Sequence, residues 1–175
     1  MPAPVPVPPR QPETSAGRSR VILDSFRRLL GRELIDRSRD DHDDDRRLRE
    51  LPLAVLAHDT SSPARLDWVN AAAAAAFDAT PEALLGLPSA STAPPDAAAD
   101  RERLFGTLRR EGFVTGYSGV RVSLTGRRFL IEDVTVIELH DATGRPAGHA
   151  AIIGKTRPEA SAGRETFQTP PRTVP

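Results

Sequence analysis

Two groups of side chains in this 175-residue sequence are able to do chemistry, and the first is a histidine beside an aspartate. His58 and Asp59 have the composition of a general acid–base pair. They end an apolar stretch that has the pattern of a buried strand, and neighbouring strand residues point to opposite faces. Because the pair cannot work as a dyad on a strand, an enzyme would need His58 together with a carboxylate from another strand, such as Asp133.

The second group combines arginines and carboxylates on two predicted strands. Arg121 lies on an alternating strand, while Arg128, Glu132 and Asp133 lie on or next to its neighbour. We expect either Glu132 or Asp133 to point inward and to pair with an arginine there. Such pairs either orient a small polar ligand or fix the register of the strands. The residues that we predict to line a ligand site are His58, Trp68, Asn70, Tyr117, Arg121, Arg128 and Asp133.

Metal binding is suggested by the run of aspartates Asp40–Asp45, which includes His42. The run lacks the alternating ligands and the glycine turn of a calcium-binding loop, so we predict no metal site. We expect a solvated connector, helical or disordered, with local pairing of acids and arginines. The sequence also has no nucleophile elbow, phosphate-binding glycine loop or paired zinc histidines. We therefore assign no catalytic residue and expect a protein that is not an enzyme.

The absence of cysteine from the sequence excludes disulfides, thiolate metal sites and flavin photochemistry through a cysteinyl adduct. Haem would need a histidine inside a cavity; His58 and His149 are the candidates, but structural roles are commoner, and we predict no cofactor. The 24 basic and 24 acidic residues balance, which argues against binding nucleic acid or membrane surfaces through bulk charge. Without a signal peptide or a membrane-spanning apolar run, a cytoplasmic location is expected.

Hydrophobic periodicity indicates the elements that must position these side chains. Residues 1–18 and 157–175 are proline-rich and are predicted to be disordered tails around a domain at 19–156. Within it we predict an amphipathic helix in 19–36, a charged connector at 37–50, and a core at 51–156 with the order β-β-α-α-α-β-β-β. The last three strands form an antiparallel meander. The fold class is therefore α+β.

Several segments of this core resemble a known family. The stretches Trp68–Phe77 and Thr80–Gly86 are similar to the words of PAS domains, and Gly116–Asp133 is similar to the MEKHLA domain, a PAS-related family. Ser25–Leu34 and Ala57–Asp59 also fit that family, so that the resemblance covers roughly residues 20–155. It implies an antiparallel sheet with short helices on one face and an N-terminal amphipathic helix. MEKHLA domains occur in stand-alone bacterial proteins and in plant homeodomain–zipper regulators, where a sensory or dimer-regulating role is inferred.

The resemblance implies a non-enzymatic regulatory module that associates with a second copy or with a regulatory protein, and that can hold a small molecule. The N-terminal helix either packs across the sheet or pairs with its twin. Its apolar stripe, our predicted interface, comprises Val21, Ile22, Phe26, Leu29, Leu30 and Leu34. The alternative is a small enzyme of unassigned type that uses His58. DNA binding ranks third, because the arginines are interleaved with acids.

Overall fold

A computed structural model describes residues 14–159 of the chain. The helices are α1 (Ser15–Leu30), α2 (Asp41–Glu50), α3 (Ala71–Ala76), α4 (Pro81–Leu84) and α5 (Ala98–Glu111). The strands are β1 (Ala54–His58), β2 (Leu66–Val69), β3 (Phe113–Val122), β4 (Arg128–His140) and β5 (Pro146–Pro158). Two short 3-10 turns, Ser89–Thr92 and Pro95–Ala97, precede α5. The strands form one antiparallel sheet in the order β2-β1-β5-β4-β3, which confirms the predicted α+β class and the closing meander.

Helix boundaries follow the capping chemistry of the sequence. The side chain of Asn70 accepts a hydrogen bond from the backbone N–H of Ala73 and so caps α3. Thr80 caps α4 in the same way. Helix α5 ends at Gly112, which has the left-handed conformation (φ 79°) that favours glycine.

Both faces of the sheet are covered. On one face, α3, α4 and α5 bury a cluster that includes Leu56, Phe77 and Ile131. On the opposite face, α1 and α2 bury a second cluster that includes Phe26 and Trp68. Strands β1, β5 and β4, the three inner strands of the sheet, contribute buried side chains to both clusters.

The predicted connector at 37–50 is helical over residues 41–50, which is one of the two forms expected, but the prediction that it is solvated is wrong because one side of α2 is buried. Leu48 is fully buried in the second cluster. Asp44 is also buried, and it accepts hydrogen bonds from Arg37 Nε (2.6 Å) and from the backbone N–H of Ser38 (2.7 Å). Pairing of acids and arginines was predicted correctly, as in the ion pair of Arg47 Nε with Asp43 Oδ2 at 2.8 Å. Within residues 14–159, no cluster of acidic and histidine side chains could hold a metal ion.

The predicted domain boundaries need small corrections. Helix α1 begins at Ser15, inside the predicted tail, because Thr14 caps it, and Gly31 ends it before residue 36. Strand β5 continues to Pro158 because it pairs with the start of β4, where Phe129 faces Pro158. The remainder of the two predicted tails, residues 1–13 and 160–175, lies outside the described residues.

The apolar stripe of α1 lies on the sheet of its own chain. Ile22 and Phe26 are 0% and 1% exposed in the second cluster. The other four residues are only partly buried against that cluster: Val21, Leu29, Leu30 and Leu34. Of the two predicted alternatives, packing across the sheet is therefore the one that the structure shows for the centre of the stripe. In the described part of the chain, no helix has the length and apolar character needed to cross a membrane.

Candidate functional site

A cavity of about 60 Å³ lies between the sheet and helix α5. Its apolar floor includes Leu56, Phe77, Leu104, Ile131, Val134 and Ile153. Its polar residues are His58, Ser89, Thr92, Arg101, Arg121 and His149. One water needs roughly 10–15 Å³ of such space, so the cavity has room for a few waters or for a ligand of a few non-hydrogen atoms.

Arg101 reaches the cavity from the first turns of α5. Arg101, Leu104, Phe105 and Leu108 have the spacing i, i+3, i+4 and i+7, so they lie along one side of α5. This side faces the sheet. Its Nη2 donates to Ser89 Oγ at 2.9 Å, and its guanidinium lies 4.8 Å from the centre of the Phe105 ring. Burial, and to a smaller extent the nearby charge of Arg121, lower the pKa of Arg101. This arginine is a partly desolvated cation.

Arg121 approaches from the opposite side, on β3. Tyr117, Gly119 and Arg121 face Val134, Ile131 and Phe129 of β4, and these three partners belong to the cluster under the helices. The Arg121 guanidinium lies 5.6 Å from the centre of the Tyr117 ring, and its Nη1 donates to the carbonyl of Val120 at 2.8 Å. A Cβ atom at Gly119 would lie 2.5 Å from the Tyr117 hydroxyl oxygen and 3.3 Å from Arg121 Nη1. Glycine at this position therefore makes room for both side chains.

Two histidines face each other across β1 and β5. His58 is paired with His149 in the strand register, and their ring centres are 5.1 Å apart. The Phe105 ring stands edge-on to His149 with a centre distance of 5.3 Å. Burial is the main cause that lowers the pKa of both histidines, and with the charges of His58, Arg101 and His140 it brings the pKa of His149 to about 4. Both rings are therefore neutral at pH 7, and His149 Nδ1 is buried without a hydrogen-bond partner in the described residues.

A surface groove of about 340 Å³ adjoins the cavity. His58, Arg101, Phe105 and His149 line both the groove and the cavity. These four side chains therefore stand between the interior space and the surface, and we refer to them as the gate residues.

The structure separates the predicted ligand residues into two sets. His58 and Arg121 line the cavity, and Tyr117 stacks against Arg121 beside it. Trp68 lies on the opposite face of the sheet, in the cluster beneath α1. Asn70 is fully buried, and its amide is engaged by the backbone N–H groups of Val55 and Ala73 and by the carbonyls of Leu48, Leu51 and Leu53.

The predicted inward carboxylate on β4 is wrong. Glu132 forms an ion pair with Arg157 at 2.8 Å, and Asp133 is exposed where the β3–β4 register shifts. Asp133 has a φ of 54°, which turns its side chain away from the alternation that a regular strand would impose. Arg128 is also exposed and pairs with Asp96 and Glu159. The Glu132–Arg157 pair joins β4 to β5 and is a cross-strand ion pair of the kind that the alternative interpretation expected.

The enzyme alternative depended on a carboxylate near His58. His58 Nδ1 instead hydrogen-bonds with the carbonyl oxygen of Asp59 at 2.9 Å. Asp133 contacts Gly154, which is five residues along β5 from the His149 that faces His58, a separation of about 16 Å. The geometry does not bring this pair together.

Sequence reasoning missed Arg101, Ser89, Thr92 and Phe105. The signal for Arg101 and Phe105 was present, since the sequence predicts α5 and places both residues on its apolar stripe. An arginine on the buried stripe of a helix is unusual and marks either an ion pair or a ligand. Ser89 and Thr92 lie in the loop before α5 and carried no periodic signal.

The volume of the cavity limits the cofactors that it could hold. Sites for drug-sized ligands and cofactors occupy roughly 300–1,000 Å³. At about 60 Å³ the cavity does not fit a flavin or a haem.

Comparison with known proteins assigns this arrangement to a recognised group. The family model described as "MEKHLA domain" matches residues 16–157. Similar solved structures include a PAS domain from Colwellia psychrerythraea (14% identity, 62% of this chain and 87% of that chain, TM-score 0.52). A variant of the fungal photoreceptor VVD is also similar (14% identity, 77% and 93%, TM-score 0.54), as is a PAS domain from a two-component sensor histidine kinase (18%, 63% and 89%, TM-score 0.50). At these identities the likeness shows a PAS-like fold alone. The curated proteins contain no match.

Proposed function

The chain belongs to the MEKHLA domain family, and from that premise we propose that it is a non-enzymatic sensory module, which binds a small molecule in its cavity and signals through association. The observation that supports this proposal is the cavity itself. Its interior combines an apolar floor with two arginines, and the gate residues connect it to the surface. Arg101 and Arg121 are both partly buried, and a cavity that holds two such cations and no acidic side chain favours an anionic ligand. A cytoplasmic location is part of the proposal.

Association is proposed to occur first with a second copy of the chain, through the edge of α1. The core-facing residues of α1, Ile22 and Phe26, are already used inside the chain. Leu29 and Leu30 at the end of α1 are only partly buried, as is Leu34 in the segment that follows the helix, and together they form its apolar edge. A second α1 helix, or a regulatory protein with a similar helix, would complete the burial of this edge.

Sedimentation velocity combined with native mass spectrometry tests the proposal. The variant Leu30→Glu with Leu34→Glu should shift a dimer to a monomer, because two charges would enter the interface. Leu53→Glu is the matched control, since Leu53 is 36% exposed and is absent from the α1 cluster. A change at Phe26 is unsuitable, because loss of this buried ring would unfold the domain.

Native mass spectra before and after denaturation address the ligand. A small molecule that co-purifies and leaves on denaturation supports a sensor, and a dimer that the double variant dissociates supports signalling by association. A protein that stays monomeric at all concentrations and carries no molecule would contradict both parts of the proposal.

A further inference from the structure

We infer that the cavity binds a short-chain monocarboxylate, with the carboxylate held between Arg101 and Arg121 and the hydrocarbon tail on the apolar floor. This inference rests on the proposed sensory function and names the chemical class of its ligand.

The first argument is an imbalance of charge. None of the described residues that line the cavity is acidic, while Arg101 and Arg121 both line it. Each has one hydrogen bond within residues 14–159, to Ser89 Oγ and to the carbonyl of Val120 respectively. Their other partners are the faces of the Phe105 and Tyr117 rings, which orient the guanidinium groups without neutralising them. Since two partly buried cations that line one cavity repel each other, an anion between them would be favoured.

The second argument is geometric. Arg101 comes from α5 and Arg121 from β3, so the two guanidinium groups approach the cavity from different elements. Each guanidinium carries five N–H donors in a plane, which matches the two oxygens of a carboxylate. Thr92 lines the same space, but its hydroxyl donates to the carbonyl oxygen of Ser89 at 2.8 Å, so the donors that face the cavity are those of the two guanidinium groups. The polar end of the cavity is therefore equipped with donors, as an anion requires.

The third argument concerns the rest of the ligand. Beyond the arginines the cavity wall is aliphatic and aromatic, with Leu56, Ile131 and Val134 among its members. An inorganic anion would leave this wall without a partner, whereas a hydrocarbon tail would bury apolar surface on it. The volume of about 60 Å³ limits the tail to a few carbon atoms. The neutral histidines at the gate add no charge that would call for a second carboxylate.

Isothermal titration of the full chain with sodium butyrate tests this inference. Butyramide is the matched neutral ligand, and sodium chloride at the same ionic strength is the matched inorganic anion. We expect butyrate to bind, and butyramide and chloride to bind at least about tenfold more weakly. Arg101→Gln and Arg121→Gln should each weaken butyrate binding by about tenfold or more, while Arg103→Gln, an exposed arginine of the same helix, should leave it unchanged.

A second measurement guards against variants that do not fold. In the wild-type chain, the guanidinium N–H resonances of Arg101 and Arg121 should shift in nuclear magnetic resonance spectra when butyrate is added, and those of Arg103 should not. Equal binding of butyrate and butyramide, tighter binding of chloride, or unshifted arginine resonances would each overturn the inference.

The outcomes separate this inference from the proposed function. A neutral molecule that co-purifies with the chain would uphold the sensor and overturn the carboxylate. Butyrate binding by a chain that never associates would uphold the carboxylate and contradict signalling through self-association.

Discussion

Arg18 of helix α1 donates a hydrogen bond from Nη2 to the backbone carbonyl of His58 at 3.1 Å, across 40 positions of sequence. The same nitrogen lies 2.9 Å from Asp67 Oδ2 on β2. Arg18 is only 5% exposed, whereas the Asp67 side chain is 32% exposed, so the contact is partly buried. It joins the helix that we propose for association to the strand end that carries a gate residue of the cavity. A physical connection between the two proposed functions therefore exists in the fold.

Replacing Arg18 tests the strength of this connection. Arg18→Met should lower the free energy of unfolding by about 1–3 kcal/mol, because the His58 carbonyl and the Asp67 carboxylate lose a buried donor. Arg20→Met is the control, since Arg20 is exposed and its ion pairs are worth less than about 1 kcal/mol. Urea denaturation measures both. Equal stability of the two variants would show that the Arg18 contact contributes little.

Asn70 should be the most sensitive polar position of the domain. Asn70→Ala removes the acceptor for the backbone N–H groups of Val55 and Ala73 and leaves buried carbonyls without a donor. We expect a loss of about 2–4 kcal/mol in urea denaturation. Thr80→Ala, which removes a more exposed helix cap, should cost about 1 kcal/mol. A loss at Asn70 no larger than that at Thr80 would contradict this ranking.

The stability of the domain should depend on pH through the gate histidines. The pKa of His149 is about 4 in the folded chain and about 6.5 in an unfolded one, so the unfolded state binds more protons between these values. The contribution of His149 to the free energy of unfolding is therefore fully present above pH 6.5, and it is lost as the pH falls toward 4. The groups around His149 are His58 on β1, Arg101 on α5, and Glu138 and His140 on β4. Of these, His58 has a lowered pKa and acts in the same direction.

Urea denaturation at pH 7 and at pH 5 measures this dependence. His149→Gln should reduce the difference between the two pH values, because one of the titrating groups is removed. His42→Gln, a change at an exposed histidine, should leave the difference as it is in the wild type. An unchanged difference in the His149 variant would show that other groups cause the loss of stability.

A substitution at Gly119 tests the cavity without replacing either arginine. In Gly119→Ala the new methyl group would collide with the Tyr117 hydroxyl and crowd Arg121, so both side chains must move. We expect butyrate affinity to fall by about tenfold while the domain stays folded. Gly106→Ala on α5 is the control, because the nearest atoms to its new Cβ are 3.8 Å away. Unchanged affinity in the Gly119 variant would remove Tyr117 and Arg121 from the site.

The helices and strands can be predicted from the sequence because the residues that set their ends act over only a few positions. Asn70, Thr80 and Gly112 mark helix ends through backbone chemistry that acts within a few residues, and the helices begin or end there. The inward position of Arg121 was also accessible from strand alternation. The direction of the Asp133 side chain was predicted wrongly because its positive φ breaks that alternation, and no pattern in the neighbouring residues indicates a positive φ there.

The cavity itself depends on contacts between distant elements. Arg101 and Arg121 line one cavity only because α5 packs against β3 and β4. The periodicity of a sequence predicts which residues share a face of an element, but it does not predict how far apart two elements lie. The same limit applies to α1. Its apolar stripe predicts that the helix is buried. Whether it is buried against its own sheet or against a second chain depends on the residues of the sheet face, where Trp68 and Ile137 belong to the same cluster as Phe26.

The gate residues also affect the rate at which a ligand would enter and leave the cavity. The Phe105 ring contacts the Arg101 guanidinium and the His149 ring, and these three side chains line both the groove and the cavity. For a ligand that entered through the groove, this packed ring would have to turn away, and exchange would then be slower than diffusion through an open mouth. A slow gate averages the ligand concentration over the lifetime of the bound state. Such a domain would report sustained changes in its surroundings and ignore brief ones.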